Sequence, residues 1–196
     1  MREIIHALKY NRMRPAAHKL GKMLAEAIAQ LADEAPAELL VIPVPLHRTR
    51  SRQRGFNQAR TLARSAIDKL RNSHPEWRLT LAPRTLMRQK LTESQAGLTP
   101  AQRRRNVRGA FKVSDPAAIR GKHILLVDDI LTTGATARAA AHSLIRAGAA
   151  SVYVATLARA RRLNANVAQV DLPELDAQSD RFAGMHSSSV PHQPVS

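Results

Sequence analysis

The stretch HILLVDDILTTGAT, residues 123–136, constrains the fold more than any other. An unbroken apolar run, Ile124 to Val127, meets two neighbouring carboxylates, Asp128 and Asp129, and then a loop of small and hydroxyl-bearing residues. A short continuous apolar run reads as a strand buried on both faces, and such strands belong to parallel sheets covered by helices. In an open α/β sheet the ligand lies beyond the C-terminal ends of the strands. The acidic pair therefore falls where a ligand is expected.

The rest of the chain supports that architecture. Apolar residues from Pro15 to Leu31 recur at helical spacing, and Pro36 breaks the pattern. LLVIPVP (39–45) reads as a buried strand ended by its prolines, 58–70 as a second helix, and RLTLAP (78–83) as a short strand. Residues 84–108 are polar and basic, and predict a long exposed loop followed by a short helix from Pro100, with Thr99 as its N-cap. Strand 123–129, helix 134–147 stopped by Gly148, and strand 151–157 follow. The expected fold is α/β, a parallel sheet with helices on both faces. One domain over 1–161 is expected. The aliphatic-poor, Ser-, His- and Pro-rich remainder, 162–196, reads as a disordered tail.

Charge narrows the partners. Thirty-one Lys and Arg against 15 Asp and Glu give a formal charge of +16. Phosphate compounds, nucleic acid or acidic surfaces fit such an excess, and a solvated basic surface is the plain alternative. There is no cysteine, which excludes disulfides and Cys-based zinc sites. No apolar run is long enough to span a bilayer, and MREIIHALKYNRMRP lacks the apolar core of a leader. A soluble cytoplasmic protein is the expectation.

Residues 132–136, TTGAT, lead into a helix whose first amides point outward, an arrangement that holds phosphate. Thr132, Thr133 and Thr136 add hydroxyls, and Gly134 lets the backbone approach closely. The spacing fits neither a Walker A loop nor GxGxxG. Carboxylates do not bind phosphate, but they accept hydrogen bonds from vicinal hydroxyls. A ribose 5-phosphate satisfies both halves of the motif. Helix capping by the acidic pair is the competing reading.

Residues 125–136 resemble the signature of type I phosphoribosyltransferases for phosphoribosyl pyrophosphate (PRPP). Together with ALKYNRMRPAAHKLG, IPVPLHRTRSRQRGFNQA and RQKLTESQAGLTPAQRRRNVRGAF, they resemble the ComF family, phosphoribosyltransferase-like proteins of DNA uptake in competent bacteria. The resemblance spans roughly residues 1–160. It implies a type I phosphoribosyltransferase-like fold in which Asp128 and Asp129 hold the ribose hydroxyls. Thr132, Thr133, Gly134, Ala135 and Thr136 then cradle the 5-phosphate, and Mg²⁺ is held mainly through PRPP rather than by the protein directly. It implies that His47 and Arg48, in the loop after the first strand, meet pyrophosphate. Arg88, Lys90 and Gln95 would belong to a lid within 88–106. Arg103 and Asn106 would fix the base of the lid, or Arg103, Arg104 and Arg105 would simply form a charged helix face. Purine enzymes of this class usually carry Asp where Thr132 stands, so purine salvage is disfavoured. Many members of the family carry a Cys-rich zinc module, and without cysteine zinc is not expected here.

Two functions follow as expectations. One is a PRPP-binding protein acting in DNA uptake and handling single-stranded DNA. The other is a Mg²⁺-dependent phosphoribosyltransferase with a non-purine acceptor. A homodimer is an admissible assembly for either.

Overall fold

The computed structural model describes residues 14–47, 49, 51, 52, 55–90, 99–131, 134–159 and 166–169. In chain order the elements are α1 (Arg14–Ala29), β1 (Glu38–Pro43), α2 (Gln58–Ser73), β2 (Arg78–Leu81), β3 (Leu86–Arg88), α3 (Pro100–Val107), β4 (Phe111–Val113), β5 (His123–Leu131), α4 (Ala135–Arg146), β6 (Ser151–Arg159) and β7 (Asn166–Gln169). A 3-10 turn, Ala117–Ile119, precedes β5.

Five strands form one sheet in the order β2-β1-β5-β6-β7, and β3 and β4 form a separate two-stranded hairpin. The first four strands of the sheet are parallel, and β7 joins antiparallel, Val154 opposite Ala168. The sheet has an apolar core on each face. On one, Leu24 and Ile28 of α1 and Leu62, Ala66 and Leu70 of α2 pack on Leu39, Val41, Leu125 and Val127. On the other, Ala137, Ala140, Ala141 and Leu144 of α4 pack on Ile42, Ile124, Leu126, Val152 and Val154, together with Leu86, Phe111 and Val113 of the hairpin. The alternation of Leu125 and Leu126 between the two cores is the period-2 geometry of a strand covered on both sides.

Helix starts follow local chemistry. Asn57 caps α2, its side chain accepting from the Arg60 N–H at 3.3 Å. Thr99 and Gln102 form the reciprocal pair at the start of α3: the Gln102 N–H donates to Thr99 Oγ1 at 3.3 Å and the Thr99 N–H to Gln102 Oε1 at 2.8 Å. Pro100 occupies the first turn, as the sequence predicts. Helix α4 ends at Arg146, and Gly148 follows with φ of 98°, the left-handed stop expected of a glycine there.

Three differences from the sequence reading have physical causes. Residues 84–90 are not wholly loop: Leu86–Arg88 pairs antiparallel with Phe111–Val113. Three-residue strands are too short for periodicity to reveal them. Strand β5 does not end at the acidic pair but runs on to Leu131, paired with β6 through Arg159. Residues 166–169 pair with β6, although they lie in the stretch read as tail. Backbone hydrogen bonds to an already formed strand place them there, and no apolar pattern announces it.

Candidate functional site

The sheet order sets the site. Strand β1 pairs with β2 on one side and with β5 on the other, so the chain connections diverge at the β1–β5 junction. That is the topological switch point, where a crevice opens at the strand ends. Pro43 lies beside Val127, and the Val44 N–H donates to the Val127 carbonyl at 2.8 Å. Asp128 and Asp129 come next on β5, and Pro45, Leu46 and His47 leave β1 alongside them.

Both aspartates are half-buried. The Asp129 N–H donates to Asp128 Oδ1 at 2.9 Å. Loss of water around the Asp128 carboxyl, and then repulsion from Asp129, raise its pKa well above the ordinary aspartate value. The positive charge of Arg88 opposes that rise. Arg88 comes from the hairpin, so β3 brings a cation within electrostatic reach of the acidic pair. Its guanidinium carbon lies 5.4 Å from the centroid of Phe111, on the partner strand β4. A guanidinium on an aromatic face is both held and partly desolvated.

Gly134 begins the turn into α4 with φ of 71° and ψ of 5°. That left-handed conformation is open to glycine without steric cost. It turns the chain from β5 so that α4 starts at Ala135 with Ala135 and Ala137 buried and Thr136 partly accessible. Helix α4 thus begins shortly after the acidic pair in the chain, and a helix start favours negative charge.

The remaining residues singled out from sequence separate into three groups. His47 lies in the loop after β1, its Nδ1 accepting from the Thr49 N–H at 3.3 Å. Its neighbour Arg48, the loop residues Thr132 and Thr133, and Gln95 lie outside the described residues. Arg88 and Lys90, assigned to the lid by the resemblance, stand at its N-terminal edge. Arg88 is a half-buried strand residue seated on Phe111, and Lys90 is exposed just past the strand end. The Gln89 N–H donates to the Ala110 carbonyl at 2.9 Å, which extends the hairpin beyond Arg88. Sequence reasoning missed Phe111 as the seat of that arginine. It also missed Asn57 as a tie to β1, its Nδ2 donating to the Val44 carbonyl at 3.0 Å. The position of Asn57 one residue ahead of a helical pattern was a usable signal.

No group of three or more metal-ligating side chains converges among the described residues. A Mg²⁺ ion bound through ligand phosphates needs no such cage, because it keeps waters and takes few protein oxygens. The acidic pair is compatible with a cation that arrives on its ligand.

Residues 21–178 match the phosphoribosyl transferase domain. The chain belongs to that family. Its fold is the type I phosphoribosyltransferase-like α/β architecture, and within the family it is of the ComF type. It is 34% identical over 158 residues to the DNA utilization protein YhgH of Escherichia coli O157:H7, covering 80% of this chain and 66% of that protein. It is 35% identical over 121 residues to the competence protein ComFC of Bacillus subtilis, covering 61% of this chain and 44% of that protein. The chain thus matches less than two thirds of the length of these relatives. Among solved structures, a hypoxanthine phosphoribosyltransferase from Staphylococcus aureus superposes with a TM-score of 0.46 at 15% identity, covering 76% of this chain and 67% of that one. No helix among the described residues is long and apolar enough to cross a membrane.

Proposed function

We propose that this protein binds PRPP, with Mg²⁺ carried on the ligand, in the crevice between the ends of β1 and β5. One observation carries the reading. A carboxylate pair and a helix start with a left-handed glycine stand side by side at the switch point of the sheet. The carboxylates suit a diol and the helix start suits its phosphate, so one small ligand bearing both would satisfy the two. Asp128 and Asp129 would accept from the ribose hydroxyls. Gly134, Ala135 and Thr136, with Thr132 and Thr133, would face the 5-phosphate. His47 and Arg48 would address the pyrophosphate, with Arg88 supplying charge from the hairpin. Bound Mg²⁺ would offset pyrophosphate charge. Displacement of pyrophosphate by an acceptor follows if one enters, the protein then contributing orientation and charge stabilisation. Calorimetric titration with PRPP and Mg²⁺ tests the binding. The double variant Asp128→Asn, Asp129→Asn should lose more than about 2 kcal/mol. Undiminished affinity in that variant refutes the site, and release of pyrophosphate on adding candidate acceptors distinguishes an enzyme from a sensor.

A second reading has its own observation. Between Gln95 and Val127 the sole acidic residue is Asp115, and from Ile130 to Val170 there is none. These segments build the face of α3, α4 and the hairpin, where Arg105, Arg108, Lys112, Arg138 and Arg146 are exposed. The opposite face, of α1 and α2, exposes Glu26, Asp33, Glu34, Asp68 and Glu76. One side of the sheet is thus a polycation and the other is mixed. This favours a polyanion along α3 and α4, and the names of the relatives suggest that it is DNA. Single strands would be held through phosphates, since no Phe, Tyr or Trp side chain is exposed among the described residues to stack bases. Affinity should fall steeply with salt, and changing Arg103, Arg104 and Arg105 to Ala should flatten the salt slope by about 1 to 3. An absence of DNA binding at about 50 mM salt, where electrostatic binders are favoured, removes this reading.

A further inference from the structure

Thr156 is a buried hydroxyl without a partner. It is 1% exposed, and its Oγ1 makes no hydrogen bond. A hydroxyl stripped of water and left unbonded is costly, so its presence in a core strand calls for a reason. Its position supplies one. Strands β5 and β6 run parallel with Asp128 in register with Thr156. Val152 and Val154 of β6 face the α4 core, and so does Leu126 of β5. By strand alternation, Thr156 and Asp128 occupy the next places on that same face. Neighbouring strands lie about 4.8 Å apart, so hydroxyl and carboxyl are lateral neighbours.

We propose that Thr156 is a positioning residue for Asp128, its hydroxyl donating to the carboxylate once Asp128 ionises and holding it in line for the ligand. The inference rests on the PRPP reading for what that ligand is. A neutral carboxyl is served by Asp129 alone, whose N–H it accepts at 2.9 Å and whose carboxylate takes its proton's hydrogen bond. An ionised one has about four acceptor sites to satisfy in a place poor in water. The groups around it offer few donors. Strand β1 presents Val44 to this face, β5 supplies the like charge of Asp129, and β3 supplies the charge of Arg88. The first turn of α4, Ala135 to Ala137, holds nothing ionisable. The Thr156 hydroxyl, in register with Asp128, is a donor at hand and makes no hydrogen bond.

The test compares Thr156→Val, which keeps shape and strand propensity, with Thr156→Ser, which keeps the hydroxyl. The Asp128 side-chain carboxyl is followed by carbon-13 NMR against pH in ligand-free protein. In Thr156→Val its midpoint should move up by about one pH unit, the size expected when one charge-assisted hydrogen bond is lost. Thr156→Ser should return it to the wild-type value. Midpoints that coincide in wild type and Thr156→Val overturn the proposal. So does an equal displacement in both variants, which would mark a packing effect. PRPP titrations of the same proteins should show about a tenfold weakening in Thr156→Val alone. Wild-type protein that fails to bind PRPP would overturn the proposed ligand while leaving the NMR result to decide the role of Thr156.

Discussion

Asn57 and Val44 are joined by a hydrogen bond of 3.0 Å, the Asn57 amide donating to the Val44 carbonyl. The same side chain caps α2 through the Arg60 N–H. One residue thereby fastens the end of β1 to the start of α2 and closes the basic loop between them. Asn57→Ala should cost about 1 to 2 kcal/mol in urea denaturation, from a lost cap and a lost tie. Asn57→Asp keeps the cap acceptor and loses the donor, so it should fall between Ala and wild type. Wild-type stability in both variants would show the tie to be idle.

Asp128 carries a stability cost that depends on pH. Its pKa in the folded chain is raised well above 3.8, chiefly by burial and then by Asp129. The folded state therefore holds this proton more tightly than the unfolded one, and its contribution is most favourable at low pH. That contribution is lost as pH rises from about the unfolded value through the raised folded value. Asp128→Asn should match wild type near pH 3.5 and exceed it in thermal stability at pH 7, while binding PRPP less well. A variant no more stable than wild type at pH 7 contradicts the burial argument.

Gly134 sits at φ of 71°. Gly134→Ala should lose roughly 1 to 2 kcal/mol, the cost of forcing an L side chain into the left-handed region. Gly134→Asn should lose less, because asparagine tolerates that conformation. Equal losses in denaturant melts would point to crowding at this buried turn rather than to backbone strain.

Leu126 is fully buried between the sheet and α4, with only Val127 between it and the acidic pair. Leu126→Ala should destabilise by about 2 to 5 kcal/mol through lost burial and a residual cavity. Leu126→Met, which preserves volume, should cost under about 1.5 kcal/mol. A Leu126→Ala loss below about 1 kcal/mol would mean that the site end of the core collapses freely.

The sequence was most legible where one period persists. Strand β5 and helix α4 showed in Ile124 to Val127 and in Ala137, Ala140, Ala141 and Leu144, because each packs on a partner along its length. The acidic pair was visible because two carboxylates after an apolar run violate the pattern of a buried strand. The β3–β4 hairpin was not visible, since Leu86–Arg88 exists as a strand only through pairing with a segment some twenty residues on. The seat of Arg88 on Phe111 was equally hidden, because it depends on that pairing. Thr156 passed as an ordinary strand threonine in SVYVATL, because its meaning comes from register with Asp128 and no local spacing encodes register.

The adjacency of β1 and β5 also has a kinetic consequence. Leu40 pairs with Ile124, so the crevice does not exist until distant parts of the chain have met. Loop closure of that span is entropically expensive and slow compared with forming a helix or the β3–β4 hairpin. A nascent chain still lacking β5 cannot present the acidic pair or the wall it leans on. Ligand binding should therefore appear among the last events of refolding, after helical signals have matured. A small anion that binds here would act on the finished molecule, slowing its unfolding rather than guiding its assembly.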